Sequence, residues 1–75
     1  MVNKMIQISQ EQSLLKRYRK ENQLVQESMA EIIGITQGTY SRIENGIDVP
    51  SFDLAKRISQ ITGIPMGELW VRYKL

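Results

Sequence analysis

The sequence predicts an all-α domain built from five short helices. Apolar residues recur at helical spacing in one segment after another. Glycine, asparagine and proline fall between those segments, where helices stop and start. The length of 75 residues allows a single domain, 1–75, with a small core.

Residues 1–8 carry a short strand signal, because Ile6 and Ile8 alternate with Gln7 and Ser9. The C-terminal run also alternates from Val71 onward. The two ends are expected either as short extended segments, paired in one chain or across a dimer, or as frayed termini. Ser9 and Gln12 have capping-box spacing, which predicts a first helix from about Gln10 to Glu21. Leu14, Leu15 and Tyr18 form its apolar face. Asn22 and Gln23 end it, and Leu24 turns into the core.

The second helix is predicted over Gln26 to Ile33, with Met29, Ala30 and Ile33 on one face. Gly34 ends it, since glycine takes φ > 0 without a Cβ clash. Ile35 sits in the turn, and the Thr36 hydroxyl caps a third helix from Gln37 to Asn45. Tyr40 and Ile43 are its inward residues, and Gly46 follows its end. Gly38 inside it costs roughly 1 kcal/mol relative to alanine.

Ile47 to Pro50 form a loop. Ser51 caps the fourth helix, and Asp53 in its first turn suits the macrodipole. Phe52, Ala55, Ile58 and Thr62 share a face, widened by Leu54 and Ile61, and Gly63 stops the helix. Pro65 opens a short fifth helix through about Trp70. No repeat, low-complexity tract or linker interrupts this order.

Ten basic and eight acidic residues leave a net charge of +2. So mild a lean makes placement matter more than the sum. Lys16, Arg17, Arg19 and Lys20 cluster in one segment, while Glu27 and Glu31 lie in the next. There is no cysteine and no histidine. A thiolate metal site, a disulfide and the commonest general base are therefore absent. An enzyme has little support, and no catalytic residue, metal or cofactor is expected. No apolar run approaches the roughly 18 residues of a membrane span, and Met5 to Ser9 is too short and polar for a secretory leader. A cytoplasmic protein without a membrane partner is expected.

Helix, tight turn and helix from Gln26 to Asn45 form a helix-turn-helix. Gln26 to Ala30, Gly34-Ile35-Thr36-Gln37 and Tyr40 to Gly46 resemble the phage repressor and Cro-type (XRE) helix-turn-helix family. Pro50-Ser51-Phe52, Gly63-Ile64-Pro65 and Glu68-Leu69 extend the likeness over about residues 12–70. The resemblance implies a five-helix lambda-repressor-like domain. It also implies double-stranded DNA as partner, with the third helix in the major groove. One departure is Val25, which stands where the family usually places a Thr or Ser cap. Losing that cap costs about 1 kcal/mol, and either water or a DNA phosphate would serve the exposed N–H groups.

Helical period sorts the third helix. With Tyr40 and Ile43 inward, Gln37, Gly38, Ser41 and Arg42 face outward as base-reading candidates. The Gln37 amide matches adenine N6 and N7. The Arg42 fork matches guanine O6 and N7, or a phosphate, against the plain alternative of a solvated arginine. Gly38 occupies a base-reading position of the family but has no side chain to read with.

Gln26 resembles the family glutamine that holds a backbone phosphate, at a helix N-terminus suited to anions. Thr36, Thr39 and Asn45 are further backbone candidates, and Ser41 serves either purpose. The resemblance also implies a partly buried ion pair between Arg19 and Glu44. Trp70, Val71 and Tyr73 offer a candidate homodimer surface, unless Trp70 closes the core instead. A symmetric dimer would set two reading helices about 34 Å apart and require a palindromic operator.

These features together point to a bacterial or phage transcriptional regulator, most simply a repressor. A second reading is an antitoxin-type interaction module of the same fold that binds a toxin. A polymerase contact through Glu27 and Glu31 is a further expectation, against plain solvated surface.

Overall fold

A computed structural model describes residues 13–70. Their order is α1 (Leu14–Glu21), α2 (Gln26–Ile33), α3 (Gln37–Glu44), α4 (Phe52–Thr62) and α5 (Met66–Leu69). Among the described residues there is no strand. The extended segments expected around Ile6–Ile8 and from Val71 onward lie outside them, as does the Ser9–Gln12 spacing.

The first helix starts later than the expected Gln10. Its cap is Ser13, whose hydroxyl accepts a hydrogen bond from the Lys16 N–H at 3.0 Å. Leu15 is buried and Tyr18 packs against the core, but Leu14 is exposed. The expected three-residue face is thus narrower, because Leu14 lies about 100° around the helix from Leu15.

The helix ends in a Schellman turn: the Leu24 N–H donates to the Arg19 carbonyl, and the Gln23 N–H to that of Lys20, both at 3.0 Å. Gln23 takes the left-handed conformation there, at φ +56°. Glycine usually fills this position, and a side chain in it costs roughly 1 kcal/mol.

The second helix has no side-chain cap, as Val25 foretells. It closes at Gly34, with φ +92°. The Gly34 and Ile35 N–H groups both donate to the Ala30 carbonyl. From the other side Arg57 Nη1 donates to the Ile33 carbonyl at 2.9 Å. A Cβ on Gly34 would stand 3.3 Å from that same nitrogen. Backbone conformation and close approach both call for glycine here.

Met29, Ile33, Tyr40 and Ile58 are the fully buried large side chains. Leu15, Ala30, Ile43, Ala55, Ile64 and Leu69 complete the core. All five helices contribute to it, and α2 packs chiefly against α3.

The expected face of α4 holds for Ala55 and Ile58 but not for Phe52, which is exposed. In the first turn Leu54 rather than Phe52 packs against the core, and Pro50 takes the buried position at that end. The Trp70 indole donates to the Pro50 carbonyl at 3.1 Å and packs on the core. Trp70 therefore closes the domain's own interior.

Candidate nucleic-acid interface

The third helix is held by its inner face and presents its outer one. Its cap is Thr36, whose Oγ1 accepts from the Thr39 N–H at 3.2 Å and donates to Thr39 Oγ1 at 2.9 Å. Tyr40, Ile43 and Glu44 are buried, while Gln37, Gly38, Thr39 and Arg42 are exposed and Ser41 is half-buried. At the far end the Asn45 amide donates to Ser41 Oγ at 3.3 Å.

Glu44 is the anchor. Arg19 donates to both carboxylate oxygens, from Nε and from Nη2, each at 2.9 Å. Its third nitrogen donates to the Leu24 carbonyl at 3.0 Å. One guanidinium thus ties α1, the link to α2 and the end of α3. The Gln26 amide approaches the same carboxylate at 3.5 Å. Gln26, expected to be free for a phosphate, therefore also leans on this anchor.

The carboxylate side chain is 1% exposed and the guanidinium 12%. Burial pushes the Glu44 carboxyl up, but hydrogen bonds from Arg19, aided by its charge, outweigh that and hold it below its ordinary value. The Arg19 pKa is raised, chiefly by its hydrogen bonds to Glu44. The Tyr40 hydroxyl is buried near this pair without a hydrogen bond of good geometry. Burial first, and the Glu44 carboxylate next, push its pKa up.

Arg42 is exposed, yet not solitary. Its Nε donates to Asp48 Oδ2 at 2.9 Å and its Nη2 to Asp48 Oδ1 at 3.2 Å. The loop is fixed for this contact, because the Ile47 and Asp48 N–H groups both donate to the Arg42 carbonyl, at 2.8 and 3.1 Å. Gly46, at φ +79°, makes that tight return. Arg42 is raised in pKa by its hydrogen bonds to Asp48.

The candidates Gln37, Gly38, Thr39, Ser41, Arg42 and Asn45 thus share the one helix and its end, with Thr36 at its start. Gln26 sits at the start of α2 behind them. Trp70 is separate, and Val71 and Tyr73 lie outside the described residues. Asp48 and Arg57 were not singled out from sequence. Arg57 carries a weak signal, as a cation able to reach a helix C-terminus. Asp48 carries a weaker one, as an acid shortly after a C-terminal arginine.

Gly38 has open space around it, with no atom within 4 Å of a Cβ built there. The domain's own packing does not require glycine at this position. Among the described residues no three acidic side chains group to hold a metal ion, and no helix is long and apolar enough to cross a membrane.

Comparison with known proteins finds relatives of the sequence. The model of the helix-turn-helix family matches residues 15–69. A transcriptional regulator of HTH type from Methanothermobacter thermautotrophicus is 41% identical over 51 residues, covering 68% of this chain and 74% of the relative. A regulator of the same type from Methanocaldococcus jannaschii is 33% identical over 57 residues, covering 76% of this chain and 86% of its own length. The cryptic phage CTXphi transcriptional repressor RstR of Vibrio cholerae is 32% identical over 57 residues; these are 76% of this chain but 51% of the repressor. No solved structure matches the chain.

Proposed function

The chain belongs to the phage repressor and Cro-type helix-turn-helix family, and on that premise we propose that it is a sequence-specific transcriptional repressor. It binds double-stranded DNA by laying α3 in the major groove. The observation that carries this reading is the division of α3 into two faces. Tyr40, Ile43 and Glu44 fix the helix to the domain, and Gln37, Ser41 and Arg42 are left to meet base edges.

Thr36, Thr39, Asn45 and Gln26 set the register on the backbone. The start of α2 supports this role: it lacks a side-chain cap, so its first N–H groups are available to a phosphate. Gly38 admits the DNA backbone or a base edge closely, a reading supported by the open space around it.

The protein acts in the cytoplasm as a homodimer on a palindromic operator. Val71 and Tyr73 contribute to the dimer surface, and the α3–α4 connection offers more apolar area. Ile47, Val49 and Phe52 are exposed by 62%, 59% and 62%, within six residues of chain.

Selection of bound sites from a randomised duplex pool tests the proposal. The expected result is an enriched inverted repeat, with half-sites about one turn apart and affinity that falls with salt. A folded sample that enriches no sequence would overturn it.

A further inference from the structure

The geometry points to Asp48 as a positioning residue that turns the Arg42 guanidinium into a guanine reader. This inference rests on the proposed DNA-binding function and adds a residue to it.

A guanidinium has five N–H groups in one plane. Asp48 occupies the side edge, through Nε at 2.9 Å and Nη2 at 3.2 Å. The end edge, formed by Nη1 and the second Nη2 hydrogen, has no partner among the described residues. That free edge still offers guanine O6 and N7 two parallel hydrogen bonds.

Arg42 would otherwise sample many rotamers, since its side chain is 56% exposed. Asp48 cannot drift away easily. Its N–H and that of Ile47 are both bonded to the Arg42 carbonyl. The carboxylate is thus delivered to the arginine by the arginine's own backbone.

The pairing has a second consequence. A carboxylate beside the guanidinium offsets its charge toward any phosphate. A free arginine at this position would bind DNA of every sequence more tightly. With Asp48 in place, the arginine gains most where two directed hydrogen bonds are available. Asp48 therefore trades general affinity for selectivity.

The test uses the full chain and the duplex selected by the wild-type protein. Each guanine of the half-site is replaced in turn by 7-deazaguanine, which lacks N7. At one guanine the wild type should lose about tenfold in affinity, and Arg42→Ala should show no such loss there. Asp48→Asn should reduce the loss to about threefold or less and bind a scrambled duplex more tightly at low salt. Asp48→Ala should behave alike, which covers an asparagine that keeps one hydrogen bond. Thermal melts confirm that each variant is folded.

Two results would overturn the inference while leaving DNA binding intact. One is an unchanged guanine penalty in both Asp48 variants, whether or not they bind more tightly, which would make Asp48 a bystander or a mere competitor of DNA. The other is a guanine penalty that survives Arg42→Ala. A wild-type protein that selects no duplex at all would instead remove the functional proposal, and this inference with it.

Discussion

The same helix carries two bidentate arginine–carboxylate pairs, and they differ in almost everything except chemistry. Glu44, on the inner face of α3, meets Arg19 from 25 residues away with both oxygens at 2.9 Å. Arg42, on the outer face, meets Asp48 from six residues away at 2.9 and 3.2 Å. The first pair is 12% and 1% exposed and the second 56% and 43%.

Water sets the consequence. A buried pair cannot be separated without stranding a charge, so it fixes geometry. An exposed pair strands no buried charge when it is cut, so it adds little to stability and acts only on how its own side chains are oriented. One pair therefore holds α3 in place, and the other, on the proposed function, tunes what that helix presents to DNA.

The sharpest way to break this contrast is to cut the inner pair. Glu44→Ala should destabilise the domain by about 3–5 kcal/mol, since Arg19 is left buried without its partner. A denaturant titration reads this directly. An unchanged midpoint would mean that the pair contributes no more than the exposed one. Asp48→Ala, by contrast, should leave the midpoint where it is.

Acid offers a gentler cut. The folded Glu44 carboxyl lies below its ordinary value of 4.5. The unfolded chain therefore takes up this proton first as pH falls. The stability that Glu44 supplies is complete above the ordinary value and is lost as pH drops through the folded one. Wild-type melting temperature should fall across that acid range. Part of the fall should be missing in Glu44→Gln, which is less stable throughout.

A smaller effect belongs to the outer face. Gly38→Ala should raise stability by about 1 kcal/mol, because alanine is the better helix former and its Cβ meets nothing in the domain. If the same substitution also weakens DNA binding, the glycine serves close approach. If affinity is unchanged, Gly38 is only a weak spot in the helix.

Most of the architecture was legible because local rules and packing agree over α2, α3 and the middle of α4. Met29, Ala30, Ile33, Tyr40, Ile43, Ala55 and Ile58 all recur at helical spacing, and all are buried. Gly34 and Gly63 stop helices with positive φ, as their positions suggest. The failures sit at helix ends. Period alone cannot tell how wide the buried face is near a helix start, so Leu14 and Phe52 were expected inside and are exposed. At the start of α1 the cap is the Ser13 hydroxyl, a role that periodicity alone does not mark.

The site was legible in part for the same reason. Outward positions on α3 follow from period once Tyr40 and Ile43 are placed inside. The partners of those positions do not. Arg19 and Glu44 share no local pattern, and only the family resemblance joined them. Asp48 reaches Arg42 through a turn at Gly46 and two backbone hydrogen bonds, which depend on loop conformation rather than on spacing. Arg57 reaches the end of α2 only because α4 packs beside it.

On the proposed function, the outer face of α3 reads bases while the inner face only holds it. Anisotropy titration of wild type and Arg42→Ala on the selected duplex and on a scrambled one tests this most directly. Arg42→Ala should lose roughly 5- to 100-fold on the selected duplex, and about threefold or less on the scrambled one. An equal loss on both duplexes would reduce Arg42 to a phosphate contact. No loss on either would mean that α3 does not dock in the way its two faces imply.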